Sequence, residues 1–310
     1  MKTCGYDIIG DVHGHADKLD ALFNRLGYVR SGIHWVPPPG RRAVFVGDLI
    51  DRGPEQLRVV DTVRAMIDAG HAHAVMGNHE FNAIAWATPD PDAPGAFLRR
   101  HSAKNLKLHA EFLRQVGEGS SRHNELIEWF KRLPPMLDLG GIRVVHAWWH
   151  QPLVDFVRAS LQQHDTLDSE FLRRACKQGT QEFAAMEGLT KGQEIRLPDG
   201  CTFIDHAGVT RGVTRVRWWL DSATTFRDAA VVSDSQRMQI PDTRLPPELV
   251  IRPTPGTPVF IGHYWLSGTP QPLAANIACL DYSAARNGPL VAYRWNGETV
   301  LDKARFVLSE

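Results

Sequence analysis

The sequence predicts an α/β protein built on parallel strands, and three observations carry that prediction. The first third of the chain repeats a short apolar run, a polar loop and an amphipathic stretch three times, the alternation expected of a parallel sheet. Each apolar run ends directly in Asp, His or Asn. Such loops lie past the carboxyl ends of the strands, where α/β proteins place their chemistry. A second group of apolar runs, toward the C-terminus, supplies strands for another sheet packed on the first.

The elements follow in order. Residues 6–10 read as a strand ending in Asp11-Val12-His13-Gly14-His15, and a helix follows with Leu19, Leu22, Phe23 and Leu26 at helical spacing until Gly27 stops it. Residues 31–42 are expected to be a Pro-rich loop. Residues 43–46 form a buried strand that runs into GDLIDRGP, residues 47–54. There Gly47 and Gly53 permit a tight turn, and Pro54 suits the first turn of a helix over 55–69. A strand at 72–76 ends in Gly77-Asn78-His79-Glu80. Beyond it the pattern changes. Pro89, Pro91 and Pro94 mark a loop, and helices around 102–116 and 124–131 make a helical insertion over about 87–133. A strand at 142–145 ends in His146-Ala147-Trp148-Trp149-His150. Residues 151–188 look helical and 192–241 mixed, a less regular insertion over about 151–257. A strand at 259–261 ends in Gly262-His263-Tyr264, and runs at 276–281, 290–295 and 299–301 read as three closing strands. The whole of 1–310 is expected to be one domain.

Composition narrows the classes. The chain is 43% hydrophobic and 23% charged, ordinary for a globular protein. Lys+Arg and Asp+Glu both number 35, which argues against a broad nucleic-acid footprint. The four cysteines, Cys4, Cys176, Cys201 and Cys279, fit no zinc-ribbon or CxxC spacing, so a reduced, cytoplasmic protein is expected. The first strand begins almost at Met1, so no signal peptide is expected. No apolar run is long enough to span a bilayer.

Five strand ends carry ligand-type side chains: Asp11 and His13; Asp48; Asn78 and His79; His146; His263. Imidazole with carboxylate suits first-row divalent metals such as manganese, iron or zinc. Asp48 sits at a strand end in the central stretch and is the natural bridge between two ions. Asp51 can orient a histidine, and Arg52 can clamp a phosphate with its planar fork. The plain alternative for GDLIDRGP alone is an Asp-rich turn with a surface ion pair, but five agreeing strand ends are hard to reach by accident.

GDVHGH, GDLIDRGP, GNHE, VHA and GH, in this order, resemble the calcineurin-like metallophosphoesterases, and the Asp-Arg-Gly and the Glu of GNHE resemble their phosphoprotein phosphatase branch. The resemblance spans residues 10–263. It implies two β-sheets packed as a sandwich flanked by helices, a four-layer αββα fold. It implies two divalent ions, manganese first, with iron, zinc or nickel as alternatives. Asp11, His13 and Asp48 match ligands of one ion, and Asp48, Asn78, His146 and His263 match those of the other. His79 matches the general acid, Asp51 its orienting acid and Arg52 the phosphate clamp. It implies a serine/threonine phosphatase-type phosphomonoesterase acting on a phosphorylated protein or peptide. The alternative is a symmetrical bis(5'-nucleosyl)-tetraphosphatase acting on a dinucleoside polyphosphate, with a phosphodiesterase, nuclease or inactive binding module ranked below. Neither nucleic acid nor a membrane is expected as a partner.

The pattern departs from the family in places. Trp148 and Trp149 follow His146 where a small turn is usual; they either narrow the entrance and stack on a base, or pack under the helical insertion. A second phosphate-binding arginine is common in the branch. Arg215 and Arg217, before Trp218-Trp219, are the candidates, with plain surface charge the alternative for each.

Overall fold

The computed structural model describes residues 5–161, 167–204, 208–253 and 255–310. Cys4 and residues 162–166 of the expected helical run lie outside them.

Strand β1 (Gly5–Ile9) leads to helix α1 (Ala16–Leu26), which buries Leu19, Leu22, Phe23 and Leu26. Gly27 ends the helix in the left-handed conformation, with its N–H turned back onto the last carbonyls. The stretch expected to be a plain loop instead holds a small hairpin, β2 (Val29–Ser31) and β3 (His34–Val36). Its first strand is exposed throughout, so no apolar alternation betrays it. Strand β4 (Arg41–Phe45), helix α2 (Gln56–Asp68), strand β5 (Ala72–Ala74) and helix α3 (Asn78–Ala87) complete the repeating units. Helices α4 (Ala103–Val116) and α5 (Ser121–Phe130) follow, with Ser102 and Ser120 accepting backbone N–H bonds as N-caps. Next come β6 (Met136–Asp138), β7 (Arg143–Val145), α6 (Gln151–Leu161), α7 (Ser169–Ala175) and α8 (Gln181–Lys191). Strands β8 (Glu194–Arg196), β9 (Phe203–Ile204), β10 (Thr210–Arg211) and β11 (Val213–Arg215) make two small two-stranded sheets. The chain closes with β12 (Val259–Ile261), β13 (Ile277–Cys279), β14 (Val291–Trp295) and β15 (Phe306–Leu308).

Two larger sheets result. One runs β15-β14-β1-β4-β5, with β1, β4 and β5 parallel and β14 antiparallel to β1; the other runs β13-β12-β7-β6, with β13, β12 and β7 parallel. The tail therefore does not build the second sheet by itself. β13 joins that sheet, while β14 and β15 extend the first. The last strand is Phe306–Leu308 rather than 299–301; Leu301 instead fills the core from a loop and donates its N–H to Ala275. Apolar runs mark strands but do not say which sheet receives them.

Alternation along the strands sorts the layers. Ile8, Val44 and Val75 join Val144, Phe260 and Ala278 in one apolar cluster between the sheets, where the rings of Phe260 and Tyr293 lie 5.1 Å apart. Ile9 and Phe45, next in sequence to Ile8 and Val44, turn away and meet Leu22, Phe23, Val59 and Val63 of α1 and α2. Val145, Ile261 and Cys279 likewise turn outward, into the cluster that holds Val154, Val157 and Leu189 of α6 and α8. Helices thus cover both outer faces, the four-layer αββα arrangement. Parallel register places Ile9 beside Phe45 and Phe45 beside Ala74, so the loops after β1, β4 and β5 emerge together.

Candidate metal centre

Backbone bonds stitch these loops into one floor. His13 N–H donates to Asp48 O, Gly53 N–H to His13 O and Gly262 N–H to His146 O, each at 2.8 Å. Two acids receive N–H groups from across the site: His79 N–H donates to Asp48 Oδ1 and His263 N–H to Asp11 Oδ2, both at 3.0 Å. His13, Asp48, Asp51, Arg52 and His263 all hold left-handed backbone, with φ of 47°, 52°, 68°, 76° and 72°. Side-chain-bearing residues adopt that region at a cost of about 1–3 kcal/mol each, and such strain gathers at functional sites. Glycine is required where the floor closes, since a Cβ on Gly77 would collide with Asp48 and one on Gly262 with Asp11.

The side chains converge on Asp48. Its Oδ2 lies 3.3 Å from His146 Nε2, 3.6 Å from His13 Nε2 and 3.8 Å from His79 Nε2. Among the described residues, two buried groups gather enough ligand atoms for an ion, His13-Asp48-His79 and Asp48-His146-His263, and Asp48 belongs to both. Asn78 Oδ1 lies 2.8 Å from His263 Nδ1 and 3.2 Å from His146 Nε2. His13 Nδ1 donates to Ile50 O and His146 Nδ1 to Val46 O, at 2.9 and 2.7 Å. Those carbonyls fix the rings and leave Nε2 as the ligand atom, the arrangement usual for metal-binding histidines. Three buried atoms at the centre lack any hydrogen-bond partner: Asp11 Oδ1, His13 Nε2 and His263 Nε2. Buried polar atoms are ordinarily satisfied, and nitrogen and oxygen donors of this kind fit first-row divalent ions. Asp11 stands outside the two tight groups, yet its free oxygen faces the same floor.

Charge balance points the same way. Burial, reinforced by Asp281, pushes the Asp11 carboxyl well above its usual range. Burial pushes the His13 imidazole down to about 3. Burial would also depress His146, but Asp48 outweighs it and lifts that ring to about 10. Asp48 itself is held well below the usual carboxylate range because the surrounding histidines overcome burial.

Beside the cluster, Asp51 serves two imidazoles. Its Oδ2 lies 2.5 Å from His79 Nδ1 and its Oδ1 2.8 Å from His109 Nδ1. His109 comes from α4, so the helical insertion reaches into the centre; sequence reading missed it. The His79 Nε2 atom is 3.3 Å from Arg52 Nη2. The Arg52 guanidinium stacks 3.9 Å from the Trp265 ring centroid, and that of Arg286 lies 4.0 Å from the same ring. Trp265 takes a φ of 53° and donates its N–H to buried Asp281 at 2.8 Å. Glu80, fully buried, accepts from the N–H groups of Gly77, Asp48 and Leu49 at 2.9, 2.9 and 2.8 Å, and so carries the loop after β4.

The remaining candidates divide. Arg215 lies close enough to His263 for its charge to add to burial in holding that imidazole well below its usual range. Arg217 is half-buried, with Arg237, Asp228 and Asp234 among the charges acting on it. Trp148 and Trp149 are buried; Trp148 stacks on His150 at 4.4 Å and sits against Gly188 of α8. Trp265 meets the site through Arg52, and Tyr264 packs edge-on against His263 at 5.6 Å.

Parts of the chain are similar to known proteins. Over 73 residues the chain is 51% identical to the asymmetrical bis(5'-nucleosyl)-tetraphosphatase PrpE of Geobacillus thermodenitrificans, a match covering 24% of this chain and 30% of that protein. Against the protein of the same name from Oceanobacillus iheyensis it is 29% identical over 141 residues, covering 46% and 54%. The chain therefore spans only about a third to a half of the length of these relatives. Among solved structures, the cold-active protein-tyrosine phosphatase of a psychrophilic Shewanella species matches at 14% identity with a TM-score of 0.49, covering 99% of this chain and 80% of that one. A protein serine/threonine phosphatase from Saccharomyces cerevisiae matches at 14% identity with a TM-score of 0.49, covering 99% and 79%. The calcineurin-like phosphoesterase profile matches residues 6–180, more than half of the 310, and the chain belongs to that family.

Proposed function

We propose that the chain is a binuclear-metal phosphohydrolase. The observation that carries this reading is Asp48, a buried carboxylate shared by two imidazole-bearing ligand groups, with free ligand atoms on Asp11, His13 and His263 around it. Asp11, His13 and Asp48 would hold one ion, and Asp48, Asn78, His146 and His263 the other. Manganese is the first choice, with iron, zinc and nickel as alternatives. Two such ions, when bound, neutralise phosphate charge and acidify an attacking water.

The chain's own residues do the rest, which in phosphoryl transfer is positioning and charge stabilisation. Arg52 grips non-bridging phosphate oxygens with its fork, and Trp265 stacking holds that fork in place. His79 gives its Nε2 proton to the leaving oxygen while Asp51 keeps Nδ1 engaged. Burial alone would lower the His79 imidazole, but Asp48 and Asp51 raise it, which keeps the acid form available. Arg215 is a second candidate for phosphate contact. Arg217 is a further candidate, half-buried among Arg237, Asp228 and Asp234.

Two substrate classes fit these parts. The phosphomonoester of a phosphorylated protein or peptide is one. A dinucleoside polyphosphate is the other, and the names of the curated relatives favour it. A panel of p-nitrophenyl phosphate, a phosphopeptide, diadenosine tetraphosphate and bis-p-nitrophenyl phosphate, each with added manganese, tests both. Hydrolysis of a monoester or the tetraphosphate above the diester is expected. Preference for the diester would move the chain to phosphodiesterase chemistry.

A further inference from the structure

A cavity of about 170 Å³ adjoins the centre and is roofed by the helical insertion. It shares Asp51, Arg52, Asn78 and His79 with the site already described, and none of Asp11, His13, Asp48, His146 or His263 lines it. Its far wall is Arg99, Asn105 and His109, from the segment leading into α4 and from α4 itself. Arg99 donates to Asn82 Oδ1 and, at 3.2 Å, to Asn105 Oδ1. Among the described residues it makes no ion pair, and partial burial lowers its guanidinium pKa. Its hydrogen-bond acceptors are neutral amide oxygens and the Asp51 carboxylate acts on it only through space, so a partly buried cation keeps donors and attraction for an anion. A space of this size suits one phosphate group and is too small for a nucleoside.

The geometry points to this cavity as a leaving-group subsite that receives a phosphate, with Arg99 as its cation. The inference rests on the phosphohydrolase reading with His79 beside the leaving oxygen. A water oxygen bonds to the attacked phosphorus and gives up a proton to solvent. The bond from phosphorus to the leaving oxygen breaks, and its electron pair stays on that oxygen. For an alkyl ester the oxygen then takes the His79 proton. For an anhydride the departing oxygen belongs to a further phosphate and needs charge neutralisation more than a proton, which Arg99 supplies. The substrate class this selects is a phosphoanhydride, cut so that a nucleoside phosphate departs on the side of the insertion. A protein phosphoester has no group for Arg99 to meet.

The test compares wild type, Arg99→Gln and Arg99→Lys, all manganese-loaded, on diadenosine tetraphosphate and on phenyl phosphate. Arg99→Gln should lower kcat/KM on the tetraphosphate by on the order of 10²-fold, the scale of removing one preorganised charge contact. Its loss on phenyl phosphate should be at least ~10-fold smaller, and Arg99→Lys should recover part of the tetraphosphate activity because charge returns without the fork. Should Arg99→Gln fail to fold, Arg99→Lys must still lose activity selectively on the tetraphosphate. Equal losses on both substrates would put Arg99 on the transferred phosphate, and no loss on either would leave the cavity without this ligand; each overturns the proposal. Calorimetric binding of adenosine diphosphate to the same proteins is the second readout, and Arg99→Gln should weaken it about tenfold, one charge-assisted hydrogen bond. A wild type that cleaves neither substrate defeats the hydrolase reading, and the subsite then stands or falls on whether adenosine diphosphate affinity depends on Arg99.

Discussion

His79 turns one ring nitrogen to Asp51 and the other toward Asp48 and Arg52. Leaving-group dependence separates an acid from a ligand at this position, because a general acid matters in proportion to how poor the leaving group is. His79→Asn is expected to cut turnover by ~10²-fold or more on an alkyl phosphate and by less on an aryl phosphate. Steady-state kinetics on the two esters checks this, and equal losses with reduced metal content would make His79 a ligand. His109 acts one bond further out. On the proposed reading it positions Asp51, whose Oδ1 lies 2.8 Å from its Nδ1. His109→Asn keeps a donor near the place of Nδ1 and should hold most of the turnover, whereas His109→Leu leaves Asp51 Oδ1 unpaired and should lower kcat by ~10-fold with little change in KM. A rise in KM with kcat unchanged would contradict this. The strand-end residues were legible because each follows an apolar run and sits beside a glycine or small residue. His109 was not, because an imidazole on the buried face of an amphipathic helix looks like any core position until the helix is docked. Trp265 was hidden for a related reason: the Trp148-Trp149 pair drew attention after its own strand end, yet only tertiary packing shows that the ring one residue beyond Tyr264 carries Arg52.

The loop after β4 hangs on α3. Glu80, in the first turn of that helix, gathers four backbone N–H groups, those of Gly77, Asp48, Leu49 and Ile50. This explains why an acid stands fully buried with no ion pair among the described residues: backbone donors supply its partners. Glu80→Ala leaves those donors unsatisfied and should destabilise the fold by about 1–3 kcal/mol for each group left without water. Urea unfolding measures the loss, and metal affinity should fall with it; a variant as stable as wild type with unaltered metal binding would contradict the bracing role. At this scale the repeating strand-loop-helix units were readable from the period of apolar residues. The hairpin at 29–36 was not, because its first strand is exposed and lacks alternation. The last strand was placed too early, because Leu301 is a core residue in a loop and mimics the end of a strand.

Across the whole molecule, sandwich order is the least local property. β14 and β15 come last in sequence yet extend the sheet that β1 begins, while β13 joins β12 and β7. Pairing of this kind depends on long-range packing of Tyr293 against Phe260, which no window of sequence contains. The function-bearing edge was nonetheless readable, since parallel strands aligned in register put their following loops at one end whatever the order of the outer strands. The centre thereby draws on both sheets: Asp11, Asp48 and Asn78 follow strands of one, and His146 and His263 follow strands of the other.

Asp48 joins those two halves, so the most direct measurement is metal content beside hydrolysis for wild type and Asp48→Asn. Each protein is stripped with chelator, reloaded with manganese, desalted, and examined by elemental analysis and by hydrolysis of p-nitrophenyl phosphate and diadenosine tetraphosphate. Wild type should hold two ions per chain, lose activity on stripping and regain it on reloading. Asp48→Asn should hold well below two ions and lose activity in step, because one carboxylate serves both positions. Two retained ions and near-normal rates in Asp48→Asn, or full activity in stripped wild type, would contradict the binuclear centre.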